Sequence, residues 1–212
     1  SVAEVVFEDA SVDDALHAIL AFEHIIQKEY KTTDPNLVVT IEPIERPNTV
    51  LNTEFQYKLL RLIYACPNGI YRMSPDIAGL VQTSNNIARV VVKEGAYSIQ
   101  CLTRSSVDTE KTDLANAIQS TFEILGATIS LGGAYPGWIP QPSSPIVSLM
   151  SSLYKEMFKE DAHVNACHAG LECGILGTNY PSMQMISFGP NIYGAHSPDE
   201  KVQISSVQKY WS

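Results

Sequence analysis

The stretch AYPGWIPQPSSP, residues 134–145, carries four prolines in twelve residues. Proline lacks the amide N–H that a helix interior or central strand needs, so no regular element can run through this segment. It divides the chain into a part before about residue 134 and a part after it, joined by a linker or an ordered crossover.

Before the division, helical and strand periods alternate. VAEVVF (2–7) reads as a strand. Ser11 then opens a helix with a near capping box, and Ala15, Leu16, Ile19, Leu20, Phe22, Ile25 and Ile26 supply its apolar stripe. LVVTIEPI (37–44) is alternating and β-branched, which predicts a strand. A second helix starts near Asn52 and stops before the turn signal Pro67-Asn68-Gly69. IARVVVKE (87–94) and AYSIQCLTR (96–104), joined at Glu94-Gly95, predict a hairpin. A third helix over 108–125 has Gly126 as its stop, and ATISLGG (127–133) follows as a strand. This order suggests helices on one face of a largely antiparallel sheet, an α+β layer.

After the division come a helix over 145–159, a strand at HVNACHAG, a loop and a strand at YPSMQMISFGP. A polar loop and a final helix from about Ser205 complete it. That pattern reads as part of an α/β sheet with its loops at one edge, where sites collect. The chain starts on a strand without a lead-in and stops in mid-helix at VQKYWS, so both ends read as cut.

Composition excludes some partners. A net charge of −9 argues against nucleic acid or an anionic membrane as the main partner. No apolar run nears the roughly 20 residues that span a bilayer, and Ser1–Ala10 lacks the features of a signal peptide. Cys66, Cys101, Cys167 and Cys173 form no C-x-x-C pair, so they read as buried free thiols in a reducing cytoplasm.

The histidine that stands out is His196, in the short polar loop GAHSPDEKV (194–202). Its neighbours Gly194, Ala195, Ser197 and Pro198 give it no core to enter, so backbone geometry would hold it with a ring nitrogen left for an external partner. Neutral imidazole is a common zinc ligand, but one ligand cannot hold zinc. Asp199 and Glu200 are placed to cap the final helix. Arg104 closes a strand and offers the rigid fork that pairs with a carboxylate, or else a solvated salt bridge. Asn86 can donate from its amide or serve the strand edge. Glu172, on a loop between two strands, can receive an amine or tie down the loop and orient His168. His168 itself reads as a supporting residue rather than a ligand. His17, His24 and His163 have no evident partner and read as surface residues.

Several phrases together resemble the aminoacyl-histidine (Xaa-His) dipeptidases. They are PNGIYR, TSNNIA, CLTRSSVD, GAYPGWIPQPSSP, HAGLECG, SFGPNIYGAHSPDE and VQKYW, in that family's order. The family belongs to the two-zinc peptidase clan that includes carnosinases and peptidase T. The resemblance implies an α+β lid over residues 1–134, lacking its first strand and helix. Residues 135–212 would then form the C-terminal part of a split α/β zinc-peptidase catalytic domain. It implies a cytoplasmic, homodimeric hydrolase of Xaa-His dipeptides with two zinc ions, other divalent metals being acceptable. His196 corresponds to a metal ligand, while Arg104, Asn86 and Glu172 correspond to substrate-binding positions. The half that would carry the remaining ligands and the general-base glutamate is absent, so no catalytic residue and no bound zinc are expected in this chain alone. The alternative for the isolated chain is an inactive lid and dimerisation module.

Overall fold

The computed structural model describes residues 2–168 and 171–212. They form two compact units, one ending at Gln56 and the other beginning at Tyr57.

In the first unit a single turn of 3₁₀ helix, Asp9–Ser11, leads into α1 (Val12–Glu29). The Ser11 side chain makes no cap bond; its N–H instead closes that turn on the Glu8 carbonyl at 2.8 Å. The strands predicted at 2–7 and 37–44 are not strands. At the second, side chains of α1 take backbone groups that a neighbouring strand would have paired. The Val39 N–H donates to the Glu23 carboxylate at 2.8 Å, and the Gln27 amide donates to the Leu37 carbonyl at 3.1 Å. The alternation survives without a ladder, Leu37 and Val39 half-buried and Val38 and Thr40 exposed.

α2 (Thr53–Ala65) begins at Asn52, whose side-chain oxygen accepts from the Glu54 and Phe55 N–H groups. The second unit then builds a three-stranded antiparallel sheet in the order β1 (Gly69–Met73), β2 (Val81–Lys93), β3 (Ala96–Ser105). The β2–β3 hairpin turns at Glu94-Gly95 as predicted, both residues at positive φ. β1 was hidden by its turn-like start. β2 begins six residues before its predicted start at Ile87 because Val81–Asn86 is polar, yet Gln82, Thr83 and Asn85 are buried.

α3 (Asp108–Glu123) covers one face of this sheet. Its Leu114, Ile118 and Phe122 meet Cys66, Leu62, Ile87, Ile99 and Cys101 to form the core. Burial and the adjacent Cys101 push the Cys66 thiol up to about 12. Gly126, at φ +74°, stops the helix, and the Ala127 N–H turns back to the Phe122 carbonyl at 3.3 Å. Residues 127–133 are not the predicted strand, though Ala127 and Ile129 still pack on the core. All four cysteines are free thiols; Cys66 is buried, Cys101 and Cys173 are half-buried, and Cys167 is exposed, contrary to its expected burial.

Beyond the proline-rich segment, α4 (Pro145–Phe158) starts on a proline at its first turn, where a missing N–H costs nothing. α5 (Glu172–Asn179) was not foreseen. β4 (Ile192–Tyr193) and β5 (Lys201–Val202) make a two-residue antiparallel pair, and α6 (Ile204–Tyr210) follows. Lys209 of α6 donates to the Tyr154 hydroxyl at 2.7 Å and to Glu160 at 3.2 Å, holding α6 to the end of α4. The strands predicted at 163–170 and 180–190 are not strands among the described residues. A strand exists only through its ladder, and among the described residues no strand pairs with these segments. Ala169 and Gly170, within the HAGLECG motif, lie outside the described residues.

Candidate functional site

The sheet's two faces have different tasks. In the antiparallel register Thr83 opposes Ser105 and Asn85 opposes Thr103, and these point toward α3. Ser84 opposes Arg104 and Asn86 opposes Leu102, and these point the other way.

The α3 side is a closed polar network. Glu110 of α3 accepts from the Thr83 hydroxyl at 2.6 Å, the Gln82 amide at 2.8 Å and Arg72 at 2.6 Å. The Thr83 and Ser105 hydroxyls bond at 2.7 Å, and Ser105 accepts from the Val107 N–H at 3.0 Å. The Thr83 hydroxyl, with Gln82, holds the Glu110 carboxyl below its ordinary range against the opposing effect of burial, and Arg72 assists. This network fixes the ends of β2 and β3 from behind.

Two glycines bring later chain to the same sheet end. A side chain on Gly137 would strike the Ser106 carbonyl oxygen at 2.7 Å, so only glycine lets the backbone lie against it. The Gly137 N–H donates to Asp108 at 3.0 Å, and Lys111 donates to Asp108 at 2.6 Å and to the Tyr135 carbonyl at 2.5 Å. Gly174, buried in α5, lies in turn against the Pro136 carbonyl. The proline-rich segment is thus an ordered crossover that stacks α5 over the end of β3.

On the open face this packing gathers a small cluster. The Ser84 hydroxyl and His168 Nε2 lie 2.8 Å apart. Burial lowers the His168 pKa, and the positive charge of Arg104 lowers it further, both favouring the neutral ring. Arg104 is exposed and pairs with no acid among the described residues. A salt bridge, the alternative role for this arginine, is therefore not made there. Asn86 is exposed on the same face, one pair along from Ser84 and Arg104. Glu172 is exposed at the first residue of α5, correcting its expected place on a loop between strands.

His196 is built differently. It is exposed in the β4–β5 loop at φ +65°, a left-handed conformation that costs a non-glycine residue about 1–2 kcal/mol. Local bonds hold it there. Its N–H donates to the Glu200 carboxylate at 2.7 Å, and the Ser197 hydroxyl donates to the Gly194 carbonyl at 2.7 Å while accepting from the Asp199 N–H at 3.2 Å. Glu200 therefore braces the histidine, and neither it nor Asp199 caps α6, whose cap residue is Gln203. No hydrogen bond or ion pair among the described residues links His196 to Arg104, Asn86 or Glu172. Nor do the described residues include any group of three or more metal-ligating side chains. The donor set supplies one imidazole and so does not make a zinc site by itself.

Sequence reasoning missed Ser84 and the packing of the crossover. Ser84 was visible only as part of TSNNIA, and nothing local marked its partner.

The fold recurs in a dipeptidase. The crystal structure of aminoacylhistidine dipeptidase from Vibrio alginolyticus matches with a TM-score of 0.81 and 34% identity, covering 95% of this chain and 41% of that one. The cytosol non-specific dipeptidase of Escherichia coli (strain K12) is 35% identical over 201 residues, 95% of this chain and 41% of its own length. No family model matches the chain. These two relatives support the aminoacyl-histidine dipeptidase family for this chain, which spans about two fifths of their length.

Proposed function

We propose that the chain is the lid and C-terminal catalytic part of a metal-dependent dipeptidase that hydrolyses Xaa-His dipeptides. Similarity to two dipeptidases across 95% of the chain carries this reading. Residues 1–134 act as the lid, and residues 135–212 contribute to the catalytic domain. Arg104, exposed and without an acid partner among the described residues, receives the substrate's terminal carboxylate. Asn86, on the same sheet face, donates to bound substrate. Glu172, exposed at the first turn of α5, receives the free amine. Binding a dipeptide by both termini excludes longer peptides, which would leave a charged group unpaired.

His196 supplies one metal ligand. Its costly left-handed backbone, braced by Glu200, supports a role beyond folding. The other ligands and the general base belong to the part of the dipeptidase relatives that this chain does not span, so the chain alone is inactive. We further place the protein in the cytoplasm, which its free thiols support, as a homodimer joined through the lid. No described helix is long and apolar enough to cross a membrane.

The test is His196→Ala in the full-length protein. Dipeptidase turnover should fall by more than about 100-fold, because even residues supporting metal ligands are worth 10–100-fold. Zinc stoichiometry should fall with it while the melting temperature holds. Unchanged turnover and zinc content would return His196 to a purely structural loop role.

A further inference from the structure

Arg104 does not stand alone on the open face. Its register partner Ser84 lies opposite it in the ladder and bonds to His168. Directly opposed residues place their Cβ atoms about 4.5–5.5 Å apart, so the guanidinium stem and the Ser84 hydroxyl share one patch of surface. Through that hydroxyl the patch reaches His168, 84 residues further along the chain.

A neutral imidazole carries one N–H and one acceptor nitrogen, and a serine hydroxyl can donate. When Ser84 donates to Nε2, the ring proton resides on Nδ1, which becomes a donor. A cation beside a neutral donor, with no carboxylate of the described chain to satisfy it, suits an anion of planar, two-oxygen shape. Asn86, adjacent on the same face, adds an amide without adding charge.

We propose that His168 is a second donor to the terminal carboxylate received by Arg104, and that Ser84 is the positioning residue that fixes its tautomer. The inference rests on the dipeptidase reading for the identity of the ligand but not for the existence of the site. Bulk does not set specificity here; the pair of donors demands a carboxylate, and a substrate ending in an amide leaves both without a charged acceptor.

The experiment is a titration of the 212-residue chain with N-acetylhistidine and with its C-terminal amide, following the His168 imidazole nitrogens by ¹⁵N NMR. The acid should shift the His168 signals and the amide should not. Ser84→Ala and His168→Phe should each weaken acid binding about tenfold, the loss of one hydrogen bond to a charged group. Ser84→Thr, which keeps the hydroxyl, and His168→Gln, which keeps a donor, should recover most of it, and these conservative variants control for folding. Equal binding of acid and amide overturns the proposal. So does a Ser84→Ala chain that binds the acid normally while Arg104→Gln does not; the Ser84–His168 bond would then be only a latch between the sheet and the later chain. A separate hydrolysis assay on the full-length protein reports on the dipeptidase reading. Loss of that reading with intact acid binding leaves the carboxylate site standing.

Discussion

Arg104 and His196 are both exposed, yet they are held in opposite ways. Arg104 owes its place to distant parts of the chain: the β2–β3 ladder, the Glu110 network behind it and a crossover that fits only because Gly137 and Gly174 lack side chains. His196 owes its place to residues within four positions of it, through Gly194, Ser197 and Glu200. A site of the first kind inherits the stability of the core. One of the second kind can remain formed while the core weakens.

The largest break in that contrast should come from Leu114→Ala. Leu114 is 0% exposed and central to the packing of α3 on the sheet. The substitution should cost about 3 kcal/mol in denaturant unfolding. NMR signals of Arg104 and His168 should broaden or shift, while the amide signals of 194–200 stay in place. Equal disturbance of both sets would show that the two sites are not independently held.

Glu110→Gln sharpens the comparison, since it removes charge from behind the Arg104 cluster and leaves packing nearly unchanged. It should cost about 1.5–3 kcal/mol at pH 7, the scale for hydrogen bonds to a charged acceptor. The Glu110 carboxyl lies below its ordinary 4.5 in the fold, so its stabilising effect is complete above that value. The effect fades as pH falls through the lowered folded value. The wild-type chain should therefore lose stability below pH 4.5 more steeply than the variant. Parallel pH curves would sink this account of the network.

The smallest effect belongs to His196→Gly. Glycine enters the left-handed region without the penalty histidine carries at φ +65°. The chain should hold its stability or gain up to about 1 kcal/mol by thermal unfolding. A clear loss would mean that the imidazole itself packs, and that the loop depends on more than its local bonds.

Local chemistry was readable where local bonds decide the outcome. The hairpin at Glu94-Gly95, the stop at Gly126, the start of α2 at Asn52 and the loop around His196 all follow from residues within a few positions. The motifs carried the family for the same reason, being short and intact. Strand prediction failed at 37–44 and 127–133 because alternation states only which side of a segment faces the core. Whether another strand lies alongside is decided elsewhere, and at 37–39 side chains of α1 took the backbone groups instead. β1 and the start of β2 escaped notice because their residues look like turn and polar surface, and only Glu110 and Ser105 make burial of Thr83 tolerable.

The sequence by itself determined α1 to α4 and α6, the β2–β3 hairpin and the identity of Arg104, Asn86, Glu172 and His196 as residues of interest. Only the tertiary structure decided which of them share a surface. Arg104 meets His168 through Ser84 because the cross-strand register and the Gly137–Gly174 stacking bring remote chain together. Such contacts are set by the packing of a common core, and spacing along the chain does not encode them.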